Sequence, residues 1–290
     1  MKNFIFLNLI ISFLCGNIYA QNTDSIIKSL KTTKEDTNKV NILNKLSRQL
    51  NNTGEHAKSL KYAEEAIATS NKLHFIKGKA NGYKNIGNIY INQSNYPKAL
   101  EYYLQSLKEF EGINDKEGIG KCYGNMGNIC QYQSDYSKAL EYYLLSLKCF
   151  EEIGDKQLIA SSYNNIGEVY RKQSLFDKAL DYDTKSLNLR EEIGDKLGLA
   201  GCYNNIGIIY KQRKDYPNAL SYYQKALLIS HEIKDKQGVG NCFNNMAELY
   251  NKSLNYKLAL HYSYLGLHII KEIGNIYQSK KSFRRLTNSI

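Results

Sequence analysis

Tryptophan is absent from this 290-residue chain and proline occurs only twice, as Pro97 and Pro217, so residues that interrupt helices are nearly missing. Metal and nucleophile motifs are missing too. The five histidines, His56, His74, His231, His261 and His268, are scattered. His261 and His268 are seven residues apart, with no further ligands in reach for zinc and no His-Glu-x-x-His pair. There is no Gly-x-Ser-x-Gly elbow and no Gly-x-x-x-x-Gly-Lys phosphate loop. Cysteine is sparse and odd in number beyond residue 20, as Cys122, Cys130, Cys149, Cys202 and Cys242, which excludes a disulfide framework. These absences leave no catalytic residue, metal site or cofactor to nominate, and no small-molecule substrate is expected.

Long apolar runs are also missing beyond the N-terminus. The first twenty residues, MKNFIFLNLIISFLCGNIYA, carry a lysine, an apolar stretch from Phe4 to Cys15 and a small residue, Ala20, ahead of polar QNTD. That is the pattern of a secretory signal peptide cleaved after Ala20, and it predicts a periplasmic or secreted protein. The competing reading is an uncleaved membrane anchor, the one route to membrane contact; lipidation at Cys15 is disfavoured because Ser12-Phe13-Leu14 lacks the small residues usual before a lipidated cysteine. The net charge of +11 comes from Lys and Arg dispersed among acids, a solvated surface instead of a nucleic-acid footprint. Only Lys280, Lys281, Arg284 and Arg285 follow one another unbalanced, too short a run to predict nucleic-acid binding.

What the chain has in abundance is tyrosine, 25 of them, and internal repetition. Written in rows of forty, the sequence aligns without a gap. Tyr83-Lys-Asn-Ile-Gly87-Asn-Ile-Tyr90 returns at Tyr123, Tyr163, Tyr203 and Phe243, and Ala99-Leu-Glu-Tyr-Tyr103 returns at Ala139, Ala179, Ala219 and Ala259. Large apolar residues at i, i+3 and i+7, with Gly at i+4, define one helix face. Glycine weakens a helix unless close packing requires it, and the small Ala99 series is its expected neighbour. Asn95, Asp135, Asp215 and Asn255 precede four of the five second runs as N-caps, with both prolines in first turns. Gly154, Gly194 and Gly274 suit left-handed helix ends, and Asp115, Asp155, Asp195, Asp235 and Asn275 suit the next caps along the chain. Cys122, Cys202 and Cys242 share one repeat position, too far apart for bridging, and read as buried packing residues.

With residue 80 as repeat position one, Tyr83, Ile86, Gly87, Tyr90, Ala99, Tyr103 and Ser106 fall on positions four, seven, eight, eleven, twenty, twenty-four and twenty-seven. There the chain resembles the tetratricopeptide repeat family, whose usual period is 34; the forty-residue period resembles a long-repeat subgroup of partner-binding regulators, with the extra residues expected in the second helix and its loop. Departures are Cys130, Asp183, Ala247 and Ser263. The resemblance implies an all-α, right-handed superhelical solenoid of antiparallel helix pairs. The expected organisation is a signal peptide (1–20), an N-terminal capping helix (21–37), six repeats (38–77, degenerate, then 78–117, 118–157, 158–197, 198–237 and 238–277) and a closing half-repeat (278–290).

Position six is asparagine in five successive repeats, Asn85, Asn125, Asn165, Asn205 and Asn245. At 100° per residue it lies roughly opposite the packing face, and Asn is a mediocre helix former, so an exposed ladder is expected. In the resembled family this side of the first helix lines a concave groove. A carboxamide complements a peptide group, which predicts binding of an extended peptide. Neighbouring candidates are Lys84, Asn88, Asn128, Asn164, Asn204, Asn244, Arg171 and Lys211. The competing explanation is duplication in an Asn-rich sequence. The expected function is a non-enzymatic scaffold for a protein or peptide partner. The alternatives are the sensory region of a bacterial signalling protein (a histidine kinase or transcriptional regulator) cut short at Ile290, and, more weakly, an RNA-binding helical repeat.

Overall fold

A computed structural model describes residues 26, 27, 30 and 33–273. The signal-peptide and half-repeat assignments, Gly274, Asn275 and the basic run from Lys280 to Arg285 lie outside them. The described residues form twelve helices and no strand: α1 (Thr37–Asn52), α2 (His56–Lys72), α3 (Ile76–Asn92), α4 (Tyr96–Gly112), α5 (Lys116–Tyr132), α6 (Tyr136–Ile153), α7 (Lys156–Lys172), α8 (Phe176–Glu192), α9 (Lys196–Gln212), α10 (Tyr216–Glu232), α11 (Lys236–Lys252) and α12 (Tyr256–Glu272). Odd-numbered helices are the first, and even-numbered helices the second, of each pair. The chain divides into two compact units, residues 1–153 with α1–α6 and residues 154–290 with α7–α12. Among the described residues no helix is long and apolar enough to cross a membrane.

Helices of 17 residues are about 25 Å long and marginal alone, so these persist because one face is buried. In the first unit Ala99, Tyr103, Met126 and Ile129 form one core cluster and Ala80, Leu107, Phe110, Ile119, Cys122 and Cys149 another. Ala219, Tyr223, Met246 and Leu249 are the counterpart in the second unit. Full burial of each large side chain is worth about 1.5–3 kcal/mol. The tyrosine surplus is used at the edges of these clusters: Tyr90 stacks on Tyr102, Tyr170 on Tyr182, Tyr210 on Tyr222 and Tyr250 on Tyr262, with centroids 5.4–5.6 Å apart. All five cysteines beyond residue 20 are free and buried.

Two expectations change. The repeat glycines meet more than the Ala99 series: a Cβ at Gly207 would stand 3.3 Å from Ala219 O and one at Gly167 3.4 Å from Ala179 O, but a Cβ at Gly87 would stand 2.8 Å from the Tyr103 ring, and one at Gly127 2.7 Å from Tyr143. The glycine makes room for the aromatic at position twenty-four. Nor are the extra residues of the forty-residue period confined to the second helix, since first and second helices alike run 17 residues, apart from 16 in α1 and 18 in α6. The loops share one shape as well. A left-handed residue recurs every twenty positions, at Gly54, His74, Ser94, Asn114, Ser134, Gly154, Ser174, Gly194, Lys214, Lys234 and Leu254. At Ser94 its N–H reaches Ile91 O (2.8 Å) and the next N–H, from Asn95, reaches Tyr90 O (2.8 Å), which closes the helix end.

Capping agrees with the sequence pattern, with exceptions. Asn95, Asp115, Asp135, Asp155, Asp195, Asp215 and Asn255 accept from the N–H three residues on, at 2.9–3.3 Å. Asp235 sits at the N-cap of α11 without such a bond, and Leu175, which replaces the capping residue of α8, has no side chain able to form one. Pro97 and Pro217 occupy first turns. Ser106, Ser146 and Ser186 donate across their helix pairs to the carbonyls of Ala80, Gly120 and Ala160 at 2.8 Å, which explains the small residue at position twenty-seven. Leu30 packs on Val40, Leu43 and Ala66; the rest of the assigned capping helix up to residue 25, with residues 28, 29, 31 and 32, lies outside the described residues.

Candidate functional site

In the first unit α1, α3 and α5 present their polar faces to one pocket of about 300 Å³. It is lined by Arg48, Asn51, Asn52, Asn85, Asn88, Ile91, Asn92, Asn125, Asn128 and Tyr132. Seven of the ten are asparagines, placed at positions six, nine, twelve and thirteen because one helix face repeats at three and four residues.

Much of this carboxamide surface holds the helices together. Asn85 is only 7% exposed; its Nδ2 donates to Asn44 O (3.0 Å) and Asn44 Oδ1 (3.1 Å), while Asn44 Nδ2 donates to Gly78 O (2.9 Å). Asn92 Nδ2 donates to Asn51 Oδ1 (3.1 Å), which also meets His56 Nδ1 at 2.9 Å. The Asn85–Asn44 and Asn92–Asn51 links each join residues 41 apart on successive first helices, a spacing at which side chains one repeat apart come level. The hydroxyl of buried Tyr103 donates to Asn88 Oδ1 (2.6 Å), and that of Tyr143 to Asn128 Oδ1 (2.6 Å), with Gln131 Oε1 at 2.8 Å. Burial pushes the Tyr103 phenol well above its ordinary range, so it remains a donor throughout the physiological pH range.

The second unit builds the same face from charge. A groove on α7, α9 and α11 is lined by Arg171, Ser174, Phe176, Ile208, Lys211, Gln212, Lys214, Tyr216, Glu248 and Lys252. Arg171 Nε donates to Glu168 (2.6 Å) and its Nη1 to Gln212 (3.2 Å). Lys211, 7% exposed, pairs with Glu248 at 3.0 Å. Asn245 Nδ2 donates to Asn204 Oδ1 (2.6 Å), repeating the Asn85–Asn44 link. Position twenty-four is Asp183 in one pair of this unit. It is 2% exposed, and no described residue donates to its Oδ1. Burial first, then the Glu168 charge, push its carboxyl up to about 7 against the opposing pull of Arg171.

The sequence model described as tetratricopeptide repeat matches residues 78–152, 120–192, 158–227 and 198–265. The chain belongs to the tetratricopeptide repeat family. A comparison with curated proteins returns no significant match. Among solved structures the chain is similar to BtubC (BKLC) from P. vanneervenii, with TM-score 0.66 and 17% identity over 76% of this chain and 92% of that one. It is similar to the apo form of RapI, with TM-score 0.68 and 18% identity over 92% and 98% of the two chains. It is also similar to a Rap protein complexed with Competence and Sporulation Factor, with TM-score 0.65 and 13% identity over 93% and 79%. At these identities the likeness is one of fold, and it matches the tandem helix pairs of this chain.

Within these tetratricopeptide repeats the position-six asparagines are not an exposed ladder. Asn85 is buried and Asn125, Asn165, Asn205 and Asn245 are half-buried, because the neighbouring first helix covers the face expected to point outward. Asn85, Asn88, Asn125 and Asn128 meet in the first pocket, and Arg171 and Lys211 in the second groove. Lys84 does not line the pocket. It donates to Asn81 (2.8 Å) and lies 5.4 Å from the Phe110 ring centroid, and burial pulls its ammonium below the usual range. Asn164 accepts weakly from Cys202 (3.5 Å), and Asn244 is buried. Sequence reasoning missed Arg48, Asn51, Asn52, Asn92 and Tyr132, and Lys214, Glu248 and Lys252. The signal was present: stepping three and seven residues on from Asn85 gives Asn88 and Asn92.

Proposed function

We propose that this tetratricopeptide repeat protein is a non-enzymatic scaffold that holds an extended segment of a protein partner against its first helices. The observation that carries the reading is the pocket of seven asparagines in the first unit. Carboxamides that bridge neighbouring helices leave further donors and acceptors facing the pocket, and an extended main chain offers the matching groups. A structural neighbour was solved bound to Competence and Sporulation Factor, which accords with a partner-holding role for this fold. Burial pushes the Cys122 and Cys202 thiols up, and Cys242 up to about 12, which supports packing roles for these three over reactive thiolates.

Selection of a random 12-residue peptide library on the protein tests the reading. Bound peptides should lose at least tenfold in affinity for the Asn88→Ala/Asn125→Ala/Asn128→Ala variant while its helical circular dichroism stays intact. A library that yields no binder, or binders indifferent to the variant, defeats it. Export after cleavage at Ala20 belongs to the same proposal, supported by the N-terminal pattern; N-terminal sequencing of the cell-derived protein should begin at Gln21, and a start at Met1 would favour the anchored form.

A further inference from the structure

Position twenty-four carries a fully buried tyrosine in α4, α6 and α10, as Tyr103, Tyr143 and Tyr223. In α5–α6 the Tyr143 hydroxyl meets positions nine and twelve of its first helix at once, Asn128 Oδ1 at 2.6 Å and Gln131 Oε1 at 2.8 Å. The α7–α8 pair replaces all three groups with charged types: Asp183 at position twenty-four, Glu168 at nine and Arg171 at twelve. Asp183 takes the tyrosine's seat, since a Cβ at Gly167 would stand 2.9 Å from its Oδ1, just as one at Gly127 would stand 2.7 Å from the Tyr143 ring. That Oδ1 is buried and has no hydrogen-bond partner among the described residues.

One guanidinium therefore stands beside two carboxyl groups. Arg171 donates through Nε and Nη2 to Glu168 and through Nη1 to Gln212 of α9, at 3.2 Å. Its charge favours ionisation of Asp183, while burial and the Glu168 charge oppose it. Arg190, seven residues further along α8, is engaged by Ser186, Asp195 and Ser161. From α9 Asp183 meets the Cys202 thiol, which the carboxylate charge helps to push up and which brings no positive charge. A buried carboxylate requires a partner that the neutral acid does without. Ionisation thus sets Asp183 in competition with Glu168 and Gln212 for Arg171.

We propose that Asp183, Glu168 and Arg171 form a proton switch on the groove of the second unit: with Asp183 protonated, Arg171 bridges α7 to Gln212 of α9, and when Asp183 releases its proton to solvent, Arg171 turns inward to it and the bridge opens. Arg171 and Gln212 both line that groove, so its wall changes with pH whatever it holds, and the inference does not depend on the scaffold reading. The bridge is closed below about 7 and open above it. No other described pair places two carboxyl groups and a guanidinium at these positions; α3–α4 has Asn88, Ile91 and Tyr103 there, and α9–α10 has Ile208, Lys211 and Tyr223.

NMR on the 15N-labelled full chain, titrated from about pH 5 to about pH 8.5 across the carboxyl midpoint, tests the switch. The Arg171 Nε–H and Gln212 side-chain amide signals should move together with a midpoint near 7, and the nuclear Overhauser contact between the two side chains should be present at the acid end and lost at the alkaline end. Asp183→Asn keeps the shape and cannot ionise, so both signals should stay flat and the contact persist throughout. Glu168→Gln removes the opposing charge and the competitor for Arg171, and should lower the midpoint by about one pH unit or more. A contact retained at both ends in wild type, signals that still titrate in Asp183→Asn, or a Glu168→Gln midpoint at or above that of wild type would each overturn the inference.

Discussion

The two units share turn shapes and core pattern, yet the corresponding faces of their first helices are richer in carboxamides in one and in charged side chains in the other. In α1–α6 the inter-helix links are neutral, Asn92 to Asn51 and Asn85 to Asn44. In α7–α12 the Asn85–Asn44 link recurs as Asn245 to Asn204, but Arg171 to Gln212 stands in place of Asn92 to Asn51, with Arg171 held by Glu168 of its own helix, and Lys211 to Glu248 adds a charged bridge. The backbone repeat therefore tolerates either solution, provided that successive first helices are bridged and buried polar atoms satisfied. The cost differs. Neutral amides can bridge helices and still offer groups to a ligand, whereas charged side chains must be neutralised locally. Asp183 is buried instead, and burial, with the Glu168 charge, pushes its carboxyl up to about 7 against the pull of Arg171.

That contrast can be broken most forcefully at Asp183. Its carboxyl titrates near 7 in the folded chain against about 3.9 when unfolded. The folded state thus holds a proton that the unfolded chain has lost, and stability falls as pH rises between about 4 and 7. Asp183→Asn, which keeps the shape and cannot ionise, is expected to stabilise the protein by up to about 4 kcal/mol at pH 8 and by almost nothing at pH 4. Urea unfolding at the two pH values reads it directly; a gain independent of pH would show that the charge is not the cause.

A step smaller, Glu248→Gln removes the carboxylate beside the buried Lys211 ammonium. About 2 kcal/mol of destabilisation is expected, below the cost of breaking a fully buried pair because Glu248 is partly exposed. In the first unit Asn85→Ala should cost about 1–2 kcal/mol by removing the donor to Asn44, while Asn125→Ala stays within about 0.5 kcal/mol. Equal costs at the two sites would mean that the 41-residue links are not structural. Smallest of all, Lys156→Ala and Lys196→Ala remove half-exposed pairs with Glu192 and Glu232, and chemical denaturation should register no more than about 0.5 kcal/mol for either.

Much of this architecture is legible from residues alone. The apolar spacing of Tyr83, Ile86, Gly87 and Tyr90, the caps at Asn95 and Asp115 and the prolines in first turns announce the helix pairs, because they are local chemistry repeated at a fixed interval. The candidate site is legible only in part. Asn85, Asn88, Asn125 and Asn128 line the first pocket, but the burial of Asn85 is hidden from a single helical wheel, which knows one neighbour where each first helix here has more. The place of Lys84 is hidden for a related reason: a long flexible side chain chooses among partners that only the packed neighbours supply, here Asn81 and the Phe110 ring.

By itself the sequence determined the class of fold, the period and the turn positions, all consequences of propensity and burial that act over a few residues. Tertiary structure alone decided which carboxamides are links and which face the pocket. The tyrosine that donates to Asn88 lies 15 residues away and the asparagine that engages Asn85 lies 41 away. A hydrogen bond is set by distance and direction in space, and no local rule of sequence carries that information.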